Sequence, residues 1–249
     1  MREENNKAFK KVPKKYQPKG LTILYEDVDI LVINKDNGVL TIGTDSQRER
    51  TAYFVLTDYV KKGNPRSKAR IFIVHRLDRD TSGVLVFAKS EEVKNYLQEN
   101  WADFSKTYYA VAHGIFKEKE GEISSYLIEN NQYRVFSTQD SEKGKFAKTG
   151  YKVIKESADF SLLEIELFTG RKNQIRVHLA EAGHPIAGDR IYGFKDKHAK
   201  RLALHAGSLT INHPYSKKPM TFTAEAPLGF KNLVKNRQEP DGNTSNKNA

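Results

Sequence analysis

Residues 75–83 read His-Arg-Leu-Asp-Arg-Asp-Thr-Ser-Gly, a polar insert between two apolar runs, Ile71–Val74 and Val84–Ala88. Apolar runs of that length are what buried strands are made of. A loop held between two core strands is a rigid mount for reactive groups. Asp78 is the candidate nucleophile, since a carboxylate can form a covalent intermediate or stabilise positive charge. The competing reading is a charged turn, with Asp80, Ser82 and Gly83 supplying turn chemistry and Arg76 and Arg79 in solvent. A two-carboxylate hydrolase using Asp78 and Asp80 is a rival chemistry. The order Arg-Leu-Asp departs from the H-R-D-L of a protein-kinase loop, and the chain has neither a Gly-rich phosphate loop nor D-F-G.

Composition narrows the chemistry further. There is no cysteine, which excludes disulfides, thiolate zinc sites and Cys nucleophiles. The seven His lack ligand-like spacing, so no metal is expected. No P-loop and no G-x-G-x-x-G occurs, so no nucleotide or nicotinamide cofactor is expected either. Lys and Arg number 42 against 31 Asp and Glu, a net charge of +11 that suits a polyanion such as RNA or DNA. No apolar run approaches the roughly 20 residues of a membrane helix, and the N-terminus lacks the apolar region of a signal peptide. A cytoplasmic location is expected.

The elements that must position these groups follow from pattern. Residues 1–20 hold seven basic residues and read as a flexible basic arm. Residues 21–235 read as one catalytic domain, and residues 236–249, rich in Asn, Gly, Ser and Lys, as a disordered tail. Leu21–Lys35 reads as two strands joined by a turn at Glu26–Asp29. Thr51–Lys62 reads as a helix ended by Gly63-Asn64-Pro65. Ser90–Phe104 reads as a helix with Ser90 as N-cap and Val93, Leu97 and Trp101 as its core stripe. Trp101 is expected in the core rather than as a base-stacking platform. Lys106–Phe116 reads as a strand, with Tyr108 and Tyr109 on opposite faces. Ile123–Ile128, Tyr133–Phe136, Gly150–Ile154 and Ser161–Leu167 read as further strands. Asn173–Ala182 reads as a helix stopped by Gly183, with Ile175, Leu179 and Ala182 toward the core and Arg176 off that stripe.

The loop at 75–84 resembles the active-site motif of RluA-type pseudouridine synthases, H-R-L-D-x-x-T-S-G followed by an apolar strand. Residues 167–193, which include TGRKNQIRVHL and GHPIAGDRIYG, are similar to a second motif of that family. Asn173 replaces the usual His there, which bears on a hydrogen bond to RNA or to the supporting residues. Lys106–Gly114 resembles the family's K-x-Y-x-A-x-x-x-G segment. The stretch 23–38 is similar to its ILYED…ILV-x-NKPAG segment, with Asp36-Asn37-Gly38 where Pro-Ala-Gly is usual. Gly38 keeps the turn, and the missing Pro bears on its rigidity. Arg201–Asn212 and Met220–Pro227 resemble the family's closing strands. The resemblance spans Leu21 to Leu228 in family order.

That resemblance implies an α+β pseudouridine synthase fold, a largely antiparallel mixed sheet with flanking helices and a catalytic cleft. It implies isomerisation of uridine in ribosomal RNA, transfer RNA or both, by a monomer that needs no cofactor. Asp78 maps to the catalytic carboxylate, Arg176 to its guanidinium partner and Tyr108 to a ring beside the base. Attack at C1′, attack at C6 and stabilisation of charge at the sugar are all compatible with Asp78. The Tyr108 phenol is a candidate for helping to remove the C5 proton. Arg76, Arg171 and Gln174 are candidate RNA contacts, Arg76 filling the space of a flipped base or holding a phosphate. A non-catalytic RNA-binding protein that retains the fold is the alternative.

Overall fold

A computed structural model describes residues 12–13, 17–43 and 49–235 of the 249-residue chain. Among them eleven strands form one mixed sheet. In chain order these are β1 (Leu21–Glu26), β2 (Ile30–Lys35), β3 (Phe72–Ile73), β4 (Ser82–Ala88), β5 (Ser105–His113) and β6 (Glu120–Glu129). They continue with β7 (Val135–Thr138), β8 (Lys145–Glu156), β9 (Phe160–Leu167), β10 (Leu204–Asn212) and β11 (Pro219–Thr223). Four helices accompany them: α1 (Ala52–Val60), α2 (Glu91–Glu99), α3 (Gln174–Glu181) and α4 (Leu228–Leu233). The sheet order is β1-β2-β4-β10-β5-β9-β8-β6-β7, with β3 on β4 and β11 on β10. β4 and β10 run parallel, and every other strand pairing is antiparallel. This is the α+β, largely antiparallel architecture expected.

The centre of the first half explains its own sequence. Side chains alternate along a strand, and β2 is buried on both faces. Ile30 and Val32 pack with Val84, Val86, Val93 and Leu97 on the α2 side. Leu31 and Ile33 pack with Leu85, Phe87, Ala52 and Leu56 on the α1 side. A strand covered twice needs apolar residues at every position, hence the unbroken run. In the second half, β5 and β9 bury Ala110, Leu163 and Ile165 against Ile175 and Leu179 of α3 and Phe230 of α4.

Several boundaries differ from the expectation. Thr51 caps α1, its hydroxyl accepting from Phe54 N at 3.2 Å, and Ser90 caps α2 through Val93 N at 3.2 Å. The second helix stops at Glu99 rather than Phe104. Asn100 turns its side chain back onto Tyr96 O, and Trp101–Asp103 follow as a separate 3-10 turn. Strand β10 begins at Leu204 rather than Arg201, and α4 had no expected counterpart. Ala182 is exposed rather than core-facing.

The first 20 residues are not all arm. Val12 packs against the α1-side core, Gln17 Nε2 donates to Val12 O at 2.8 Å and Asp36 N donates to Gly20 O at 2.9 Å. The remainder of that arm, residues 1–11 and 14–16, and the tail at 236–249 lie outside the described residues.

Candidate active site

The loop carrying Asp78 is held from both flanks. β3 pairs with β4 only through Phe72 and Ile73. Where it stops, the Val86 N–H of β4 donates to His75 Nε2 at 3.2 Å, so an imidazole completes the ladder. Burial, reinforced by the Lys106 charge, pushes His75 down to about 3. The ring is therefore neutral and an acceptor. The Trp101 ring packs against it, centroids 4.3 Å apart and planes tilted by 32°.

On the other flank, Thr41 Oγ1 donates to Leu77 O at 2.8 Å and accepts from Leu77 N at 3.2 Å. Gly38 N donates to Arg79 O at 2.8 Å. Asn37 Nδ2 donates to Asp80 O. The turn without proline is thus tied by an amide to the Asp78 loop. Lys35, fully buried, gives its three protons to Val39 O at 2.8 Å, Asp36 O at 3.1 Å and Arg79 O at 3.2 Å. Burial pushes its ammonium down to about 8, although the Asp78 charge pulls the other way.

Sheet register brings the second residue in. Gly83 of β4 pairs with Ala206 of β10, and Ala206 pairs with Tyr108 of β5. Tyr108 thus lies two strands from the end of the Asp78 loop, at the same level. The approach requires glycine: Gly83 has φ +117°, and a Cβ there would stand 2.2 Å from Ala206 O. Burial, with Asp78 adding to it, pushes the Tyr108 phenol well above its usual value. The resting phenol is protonated at neutral pH.

The third residue comes from the start of α3. Asn173, at φ 54°, occupies the left-handed conformation that Asn tolerates better than most residues. Arg176 is three residues on and 6% exposed, not a solvated helix charge. Its fork was expected on Asp78, but it is made with Asp189 instead. Nε donates to Asp189 Oδ2 and Nη2 to Asp189 Oδ1, both at 2.8 Å. Nη1 donates to Asn173 Oδ1 at 3.1 Å and stands 3.6 Å from Asp78 Oδ2. Burial alone would lower the Arg176 pKa, but the bonds and charge of Asp189 turn the shift upward. Asp189 also accepts from Ile191 N at 2.9 Å and Tyr192 N at 3.0 Å. Burial opposes its ionisation, but these contacts hold it below the usual carboxylate range.

Asp78, Tyr108 and Arg176 share one cavity of about 240 Å³, whose walls also include Arg76, Arg171 and Gln174. All six candidates therefore line the same cavity. Arg76 and Arg171 are exposed at the cavity, Arg171 Nε donating to Phe146 O at 3.0 Å. Gln174 is 3% exposed and committed to protein. Its Oε1 accepts from Thr169 Oγ1 at 2.8 Å and Arg171 N at 3.0 Å. Its Nε2 donates to Lys148 O and Thr149 Oγ1, both at 2.9 Å. These four bonds staple the start of α3. Asp80 is not among the residues lining the cavity, and its carboxylate takes Arg79 Nε at 3.3 Å. A larger cavity, about 680 Å³, between Phe160, Arg201, Phe230 and Leu233, holds none of the six.

A part-exposed carboxylate, Asp78, and a buried one, Asp189, on one guanidinium beside a phenol suit a reaction that needs an aimed anion. The RNA pseudouridylate synthase family model matches residues 29–181 of this chain. The chain belongs to that family. It is 37% identical over 220 residues to the uncharacterized RNA pseudouridine synthase YhcT of Bacillus subtilis, covering 86% of this chain and 72% of that one. It is 32% identical over 227 residues to ribosomal large subunit pseudouridine synthase D of Borreliella burgdorferi, covering 89% and 70%. The solved structure of human RNA pseudouridylate synthase domain containing 4 shares the fold with a TM-score of 0.71 at 22% identity. The match covers 85% of this chain and 92% of that one.

This pseudouridine synthase therefore isomerises uridine in RNA, and the non-catalytic reading is set aside. No helix among the described residues is long and apolar enough to cross a membrane. Sequence reasoning missed Lys35, Thr41 and Asp189 as supports of the site. Lys35 and Asp189 lie inside segments that match the family, and only their contacts reveal their tasks. Thr41 carried no signal.

Proposed function

We propose that Asp78 is the carboxylate that drives isomerisation, acting on a single uridine extruded from a structured RNA, with large-subunit ribosomal RNA the first substrate to test. The observation that carries this reading is the convergence of Asp78, Tyr108 and Arg176 on one cavity with room for a nucleoside but not for a duplex. In the reaction the C1′–N1 bond breaks, the base turns, and C5 bonds to C1′. The C5 proton leaves, N1 gains a proton, and no electrons are exchanged with another molecule. Asp78 attacks the sugar or the base, or stabilises the positive sugar as the bond breaks. Arg176 aims it from one side. The protonated Tyr108 ring abuts the base. Arg76 and Arg171 take phosphates or the vacated stack, which recovers part of the few kcal/mol that flipping costs. The protein acts as a cytoplasmic monomer. Ribosomal RNA is favoured because relatives named ribosomal large subunit synthases align over most of the chain.

The test is tritium release from RNA labelled at uridine C5. Asp78→Asn keeps the shape and loses the charge, so RNA binding and folding should persist while release stops. Release near the wild-type rate would remove Asp78 from the mechanism.

A further inference from the structure

The loop half of the sheet and the half that carries Tyr108 and Arg176 meet at the parallel pairing of β4 and β10. That ladder is short: His205 faces Ser82 and Ala206 faces Gly83. The join is reinforced by side chains. Arg201 Nη2 donates to Ser82 Oγ at 2.7 Å, and Ser82 Oγ lies 2.8 Å from His205 Nδ1. His205 Nε2 lies 3.0 Å from Ala224 O.

Chemistry dictates the direction of this chain. Arginine only donates, so Ser82 Oγ accepts from it and its own proton goes to His205 Nδ1. The imidazole then carries its proton on Nε2 and donates to Ala224 O. The donations therefore all run in one direction, from Arg201 through Ser82 and His205 to Ala224 O. Burial lowers the His205 pKa, in keeping with a neutral ring. Ser82 and His205 are 4% and 1% exposed. Arg201 also donates to Leu202 O at 3.1 Å and Leu204 O at 3.3 Å, which ties the start of β10 into the same chain.

An apolar pair would hold such a seam against unfolding as well as a polar one does, but would let it slide. A fully satisfied, directional network specifies one relative placement. That placement matters here because Ser82 lies four residues beyond Asp78, joined to it by the turn in which Thr81 N donates to Asp78 O at 3.2 Å. Across the same join, Ala206 is the register partner of Tyr108.

We propose that Arg201, Ser82 and His205 are positioning residues, a relay that sets the Asp78 loop against Tyr108 and Arg176. The proposal rests on the assigned role of Asp78. None of the three is needed to touch RNA.

The experiment compares Ser82→Ala with Ser161→Ala. Ser161 is equally buried, on β9, and donates to Gly114 O at 2.8 Å outside the active cavity. Both variants lose one buried hydroxyl, so both should lower the melting temperature. The substrate is RNA from cells lacking this protein, labelled with tritium at uridine C5, in single turnover at saturating enzyme. Ser82→Ala should react about tenfold or more slowly with RNA affinity unchanged, since a small misplacement of a catalytic group has that scale of effect. Ser161→Ala should react at the wild-type rate. His205→Asn, which keeps an acceptor for Ser82, should retain more rate than His205→Leu, and this pair serves if Ser82→Ala does not fold. A wild-type rate in Ser82→Ala alongside an inactive Asp78→Asn overturns the relay and leaves the site intact. Equal rates in His205→Asn and His205→Leu overturn it too.

Discussion

Two carboxylates meet one guanidinium in this protein, and their surroundings are opposite. Asp189 has no exposed side-chain surface and takes two bonds from Arg176 and two from backbone N–H groups. Asp78 keeps 28% of its side chain exposed and stands 3.6 Å from the same guanidinium, beyond hydrogen-bonding distance. The first is saturated, and the second keeps its lone pairs for something else. Asp189 fixes Arg176, and in the proposed mechanism Arg176, thus fixed, directs Asp78 without occupying it. A guanidinium forked onto Asp78 itself would have tied up the oxygens a nucleophile needs.

The largest way to break this contrast is Asp189→Asn. It leaves Arg176 buried without its counterion, a loss worth about 3–5 kcal/mol. Denaturant titration should show that drop, and tritium release should fall at least about a hundredfold. Asp78→Asn, by contrast, should leave stability near wild type. Equal stability in the two variants would abolish the distinction.

Arg176→Lys comes next. Lysine offers a point charge on a flexible stem and cannot fork onto Asp189. Turnover at saturating RNA should fall about a hundredfold while RNA affinity changes little. If chemistry is normal and binding is poor, Arg176 positions RNA rather than Asp78.

Gln174→Leu sharpens the comparison at the start of the helix that carries Arg176. It strands the partners of a buried amide, a cost of about 1–3 kcal/mol. Thermal denaturation should register it, while RNA affinity at saturable salt stays level. A selective loss of affinity would restore Gln174 as an RNA contact.

A further contrast concerns Lys35, whose three carbonyl contacts hold the loop that carries Asp78. Its ammonium titrates near 8 in the folded protein, against about 10.4 in an unfolded chain. The unfolded state therefore binds more protons between those values, and the folded state gains stability as pH rises through them. The stability difference between wild type and Lys35→Met should move toward wild type by about 2 kcal/mol between pH 8 and 10. A difference that stays flat with pH would mean that Lys35 titrates normally.

Much of the site was legible because its residues sit in two uninterrupted stretches. Asp78 lies between two apolar runs, and Arg176 falls within a helix that Gly183 ends at φ 85°. Side-chain type and local period are properties of a short segment, so they can be read without the fold. The resemblance to RluA-type synthases supplied Tyr108, which composition and spacing leave as one strand aromatic among several.

What the sequence by itself determined is the inventory: a loop carboxylate on strands, a helix with an internal arginine, a basic chain without thiols. Only the tertiary structure decided who pairs with whom. Lys35 and Arg79 are 44 positions apart and Ser82 and His205 are 123 apart. Arg176 had several carboxylates within the chain to choose from, and took Asp189 in full and Asp78 in part. Gln174 turned inward for the same reason. Its neighbours Lys148 and Thr149 arrive from β8, at a register that no local pattern contains. Hydrogen bonds reach about 3 Å, so partners are set by where distant strands come to rest, and burial then converts those placements into the charge states on which the chemistry depends.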